Sequence, residues 1–163
     1  MMNDIQIDKT VSAILQQVNT YIKQYLGADY SVSIVDSESE MTDSWVAEYH
    51  SGSVFDRDIE ISFNKNTWVK CANEEEFTYQ ECLEDLSVTI WHEVGHAIYE
   101  LLIDYDDNGA FDDEQESNIV NIIQSLDSNE ENVVEEFGIY MAGYGDESSL
   151  ARAIDEYDRM YNN

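Results

Sequence analysis

The stretch whose residue types and spacing can do chemistry is His92-Glu93-Val94-Gly95-His96. Two imidazoles four positions apart stand one above the other on a helix, so both can reach one tetrahedral Zn²⁺. Glu93, directly after the first histidine, is placed beside such a metal, where its carboxylate can take a proton from a bound water. Neutral imidazole is a good zinc ligand and a carboxylate shuttles protons, so the chemistry calls for these residue types. Two of the chain's three histidines are committed to this motif. On a helical wheel Leu83, Leu86, Ile90, Val94, Ala97 and Leu101 cluster on one side, and His92 and His96 fall almost opposite, beside Thr89 and Tyr99. A histidine that merely fills a core would lie among the leucines.

The elements that must position this helix can be read from the periodicity. Val11, Ile14, Leu15, Val18, Ile22, Tyr25 and Leu26 form one helical stripe that Gly27 stops. The period then switches to two. Tyr30, Val32 and Ile34, then Trp45, Ala47 and Tyr49, then Ile59, Ile61 and Phe63 alternate with polar residues as three half-buried strands. Helices are predicted near 78–103, 115–126, 130–143 and 147–161. This order predicts an α+β fold: an N-terminal helix, a three-stranded, mainly antiparallel sheet, the motif helix, then C-terminal helices. The 163 residues suit one domain, 1–163, and no low-complexity linker or repeat divides them.

Thr89-Ile90-Trp91-His92-Glu93-Val94-Gly95-His96-Ala97-Ile98 resembles the extended active-site helix of the zincin metallopeptidases, compatible at every position. The resemblance implies a zinc-dependent peptidase with a protein or peptide substrate, His92 and His96 as metal ligands, and Glu93 as general base. It also implies strands ahead of the helix, with Arg57 to Asn64 as an edge strand that would bind the substrate by β-augmentation. A catalytic zinc takes a third protein ligand. No histidine follows His96, and His50 lies upstream, so a downstream glutamate is expected. Glu135-Glu136-Phe137-Gly138 resembles the glutamate-x-aromatic-small pattern of some gluzincins, including toxin domains related to lethal factor. Aligning Phe137-Gly138 to the aromatic-small pair makes Glu135 the ligand, with Glu136 and then Glu131 as alternatives. Glu100, one turn after His96, is either an orienting carboxylate or an exposed helix acid. Tyr99, Tyr140 and Tyr144 are candidate oxyanion donors among eleven tyrosines.

Charge narrows the partners. With 36 Asp+Glu against 7 Lys+Arg, the net charge is −29. Such a surface repels phosphate backbones, which argues against direct nucleic-acid binding and against anionic membranes. It favours basic substrate segments. It also defines the alternative function, an acidic decoy that mimics DNA on a zincin-like, non-catalytic scaffold. Mimicry has no need of Glu93 between two histidines. The first residues carry no basic, apolar leader pattern, and no run of 18 apolar residues occurs, so the expected location is the cytoplasm. Cys71 and Cys82 are expected to be free thiols.

A second cation motif follows the helix. Asp104, Asp106, Asn108 and Asp112, with Gly109 and Phe111, resemble an EF-hand calcium loop at positions 1, 3, 5, 9, 6 and 8. Gln115 stands where that loop has a bidentate glutamate, and a single neutral amide oxygen weakens the site. The competing reading is an acid-rich turn at Asn108-Gly109. Calcium held by the folded chain stabilises it by mass action. Under the calcium reading, millimolar Ca²⁺ raises the melting temperature of the wild type and not of Asp104→Ala/Asp106→Ala. An unchanged wild-type melting curve leaves the loop a turn.

Overall fold

Asn3 opens the first helix, α1 (Asp4–Tyr25), through a reciprocal pair: the Gln6 N–H donates to Asn3 Oδ1 and the Asn3 N–H to Gln6 Oε1, both at 2.9 Å. In the computed structural model, which describes residues 2–36, 45–104, 114, 121, 124, 126 and 129–161, α1 leads into an α+β arrangement. Strands β1 (Ser31–Asp36), β2 (Ala47–Tyr49) and β3 (Asp58–Phe63) follow, with a 3₁₀ turn, Ser53–Asp56, between the last two. Four further helices complete the described elements: α2 (Lys65–Glu74), α3 (Tyr79–Ile103), α4 (Glu130–Met141) and α5 (Ser149–Tyr161). The helix predicted over 115–126 lies almost wholly outside the described residues. None of the described helices is long and apolar enough to cross a membrane.

The sheet order is β1-β3-β2, and this corrects two expectations. The sheet is mixed rather than mainly antiparallel: β1 runs parallel to β3, with Val32 opposite Ile59 and Ile34 opposite Ile61, while β2 runs antiparallel to it, with Tyr49 opposite Ile61. The strand within Arg57 to Asn64 is therefore central, not an edge. Two chain reversals separate β1 from β3, so they point the same way, and the short β2 is left outside. Burying β3 on both edges puts Ile59, Ile61 and Phe63 in the core and leaves even Ser62 only 8% exposed. The outer edge of β1 is occupied as well. The Asn19 side chain on α1 accepts from the Val32 N–H at 2.8 Å and donates to its carbonyl at 2.9 Å.

The sequence reading missed α2. Asn64, fully buried, caps it by accepting the Thr67 N–H, and Trp68 and Ala72 face the core one turn apart. The Trp68 indole N–H reaches Asp85 Oδ2 on α3 at 2.8 Å. Thr78 then starts α3 with a capping box to Glu81. Cys71 and Cys82 are free thiols, as expected.

The α3 helix is buried on more than the leucine side. Trp91, Gly95 and Ile98 are also covered, because α4 lies across the histidine-bearing surface. Trp91 joins three helices, with Tyr21 of α1 and Phe137 of α4 edge-on at 5.5 and 6.1 Å between ring centroids. Two glycines seat the crossing. A Cβ on Gly95 would stand 2.9 Å from the Phe137 ring, and one on Gly138 would meet Val88 O at 3.0 Å and His92 N at 3.1 Å. At Gly138 the obstructing atoms are backbone and cannot turn aside. Overpacking of this kind costs about 1–3 kcal/mol, against a helix-propensity gain of about 0.5–1 kcal/mol for Gly→Ala. Gly138→Ala is therefore expected to lower stability and the urea midpoint. A variant at or above wild-type stability would show that the helices can separate freely.

Candidate metal centre

His92 and His96 extend from adjacent turns of α3, with ring centroids 5.1 Å apart. Both side chains are largely covered, at 25% and 15% exposure. Glu131, in the first turn of α4, reaches both rings: Oε2 lies 3.2 Å from His92 Nε2 and Oε1 lies 3.0 Å from His96 Nε2. These three side chains form the one group among the described residues with ligand atoms clustered for a metal, all within 4.8 Å of one another. Zinc bonds of ~2.0–2.1 Å in a tetrahedron separate the donors by roughly 3.3–3.4 Å, so small side-chain shifts would seat the ion.

Glu130 adds a residue the sequence reading did not single out. Its Oε2 lies 2.7 Å from His96 Nδ1. A carboxylate there takes the Nδ1–H and leaves Nε2, the atom facing Glu131, with its lone pair for a metal. Burial first, then the neighbouring His96, lowers the His92 pKa, with the Glu131 carboxylate pulling the other way. The neutral imidazole, which is the ligating form, is favoured.

Glu93 departs from the other acids. It is 8% exposed, and its Oε2 has no hydrogen-bond partner. Burial raises its pKa from 4.5 to about 7, partly opposed by His96 and by the backbone N–H of Tyr49. An orphaned carboxylate oxygen on a residue that feels His96 and the Glu131 carboxylate suits a site that holds a cation and a water. The residues present fit zinc.

The remaining candidates fall into place around a cleft of about 510 Å³ whose wall includes Glu48, Tyr49, Glu93, His96, Tyr99 and Glu131. Tyr99 faces this cleft, while Tyr140 and Tyr144 are exposed and do not line it. Glu100 is neither of the things expected of it. It accepts the Gly52 N–H at 2.6 Å and the Ser51 hydroxyl at 3.1 Å, which ties the chain after β2 to α3. His50 belongs elsewhere, against Glu60 at 3.2 Å and Ser62 at 2.5 Å. Of the calcium-loop residues, Asp104 ends α3 and is exposed; Asp106, Asn108 and Asp112 lie outside the described residues.

Glu135, the expected third ligand, is exposed and acts on His92 only as a neighbouring charge; Glu131 makes the contacts in its place. The reason is the register of the crossing. Gly138 abuts His92, Val134 abuts Gly95 and Glu130 abuts His96, so α4 runs antiparallel to α3. Glu131, next to Glu130 at the His96 end of the crossing, reaches both imidazoles, and Glu135 lies one turn further along α4. Glu136 is taken by α5, accepting the Ser149 N–H at 2.8 Å and its hydroxyl at 3.2 Å.

No family model, curated protein or solved structure matches this chain. The site is therefore described by its own atoms. Purified protein is expected to carry close to one zinc per chain by elemental analysis, lost in His96→Ala and in Glu131→Ala and retained in Glu135→Ala. Glu130→Gln should keep the stoichiometry while weakening affinity about 10–100-fold, the usual cost of removing a ligand's orienting partner. Loss of zinc in Glu135→Ala with retention in Glu131→Ala would reverse the assignment.

Proposed function

We propose that the protein is a zinc-dependent peptidase of the zincin type, with His92, His96 and Glu131 holding the metal and Glu93 as general base. The observation that carries this reading is the pairing of a three-donor group with a buried carboxylate whose Oε2 is unpartnered, with His96, Glu131 and Glu93 on the wall of one cleft. When bound, zinc lowers the pKa of a coordinated water toward about 7 and polarises a carbonyl oxygen.

The chain's own residues supply the rest. Glu93 Oε2 accepts the proton from the attacking water and returns it to the leaving amine, a role suited to a carboxyl whose pKa is raised to about 7. Glu130 holds the His96 ring so that Nε2 faces Glu131 and would be free to bind the metal. Tyr99 is the tyrosine at hand to donate to the developing oxyanion. Glu100 keeps the chain after β2 against α3, and so holds Tyr49, whose N–H bears on Glu93.

The test replaces Glu93 by Gln, which keeps the side chain's size and removes the proton acceptor. Zinc-loaded wild type is incubated with a mixture of peptides from denatured proteins, and new termini are identified by mass spectrometry. Glu93→Gln should bind one zinc as the wild type does, with cleavage lower by about 10²–10⁴-fold, the typical contribution of a general base. Equal cleavage by both proteins, or none by the wild type with zinc bound, removes the peptidase reading in favour of an acidic decoy or a non-catalytic zinc protein.

A further inference from the structure

Between Lys70 and Arg152 the chain contains no lysine or arginine, and α3, α4 and everything joining them fall in that interval. The cleft beside the metal centre inherits this bias. Among the described residues six carboxylates line it, from Glu48, Glu93, Glu100, Asp104, Glu130 and Glu131, and no lysine or arginine does. Segments 37–44 and 105–128, outside or only sparsely among the described residues, also contain no basic residue, so wherever they lie they cannot neutralise it. Of the chain's seven lysines and arginines, four pair with acids elsewhere, Arg57 with Asp29, Lys65 with Asp8, Arg152 with Glu147 and Arg159 with Glu156.

These six acids do not share one task. Glu93, Glu130 and Glu131 belong to the metal centre, and Glu100 is held by Gly52 and Ser51. A dication offsets two charges of the six. Glu48 on β2 and Asp104 at the end of α3 are exposed and line the same cleft. A second observation sets this place apart from an ordinary acidic surface: Glu93, more than nine-tenths buried, lines it and has an oxygen without a hydrogen-bond partner. A recess walled by one sign of charge concentrates ions of the other sign.

We propose that the segment entering this cleft is a cationic peptide, with lysine or arginine flanking the reacting bond and Glu48 and Asp104 receiving the basic side chains. The reaction performed on it rests on the peptidase reading above; the charge of the substrate rests on the cleft wall. A partner with a phosphate backbone is repelled by the same six groups.

Binding is measured first, on zinc-loaded Glu93→Gln so that nothing is consumed. The probes are two fluorescein-labelled synthetic peptides, one with lysine and arginine spaced along an alanine, leucine and tyrosine frame, the other with glutamine at those positions. The basic peptide should bind at least about ten-fold tighter in fluorescence anisotropy, with the difference shrinking as salt rises. Adding Glu48→Gln/Asp104→Asn should abolish the preference. Glu74→Gln/Glu75→Gln, which removes the same charge from the exposed end of α2, should keep it. Equal affinity for the two peptides overturns the proposal, as does an equal loss in the two double variants, which would mark general surface attraction. Digestion of the same peptides by zinc-loaded wild type separates the two readings. Tight basic binding without cleavage leaves the proposal standing and removes the peptidase. Cleavage of both peptides at the same rate keeps the peptidase and overturns the proposal.

Discussion

The close crossing of α3 and α4 at Gly95 and Gly138 is the constraint on which the rest of the structure depends. Helices with ordinary side chains at the contact pack with axes about 8–10 Å apart. Two glycines remove the side chains at the point of closest approach, so the backbone of α4 comes to rest on that of α3 at Val88 and His92. The contact fixes the register along both helices at once. It brings Glu131 level with the two imidazoles, sets Glu130 beside His96, and buries Trp91 against Phe137 and Tyr21. Since α3 is itself anchored at both ends, by the Thr78 cap and by the ties from Glu100 to Ser51 and Gly52, the donors are held by backbone rather than by long side chains.

The electrostatics follow from the same placement. Glu130 and Glu131 occupy the first turn of α4, behind the Asn129 cap, where the helix dipole favours negative charge. Two carboxylates can therefore stand side by side without destabilising their own helix. Glu93 has no such support. It sits mid-helix, where burial favours its neutral form, and one oxygen goes unpaired, a cost of about 1–3 kcal/mol for a buried polar group. A positive ion at the histidine nitrogens would reverse that balance, because a nearby cation favours the carboxylate. The expense is local, and it falls at the one place where a ligand would refund it.

Much of this was legible in the sequence, and what was not has physical causes. The α+β order, the three strands and the α3 helix follow from side-chain periodicity, which is a local property. Spacing within one helix was enough to single out His92, Glu93 and His96, and both histidines fall in the group that could hold a metal. The third member of that group depends on where another helix crosses. Glu131 and Glu135 share a face, and which of them reaches the imidazoles is set by the packing of Gly138 on the backbone of His92 and Val88, 46 and 50 residues away in sequence. Sheet order was hidden for a similar reason: alternation shows which residues face inward, while the neighbour of each strand is set by tertiary packing. The α2 helix was overlooked because its apolar side is only Trp68 and Ala72, although Asn64 ahead of Thr67 was a start signal in plain view.

The Asn19 carboxamide, bonded to both the N–H and the C=O of Val32, does for β1 what a fourth strand would do. A parallel pair such as β1 and β3 leaves an outer row of unpaired backbone groups, and such rows invite other chains to add on. Here one side chain from α1 fills the rung at Val32, the second residue of the strand. The opposite border of the sheet is β2, three residues long and bearing Glu48. A sheet so small, plugged on one side and short and charged on the other, has little with which to seed fibrils, so the chain can carry 43% hydrophobic residues without offering them a template for aggregation.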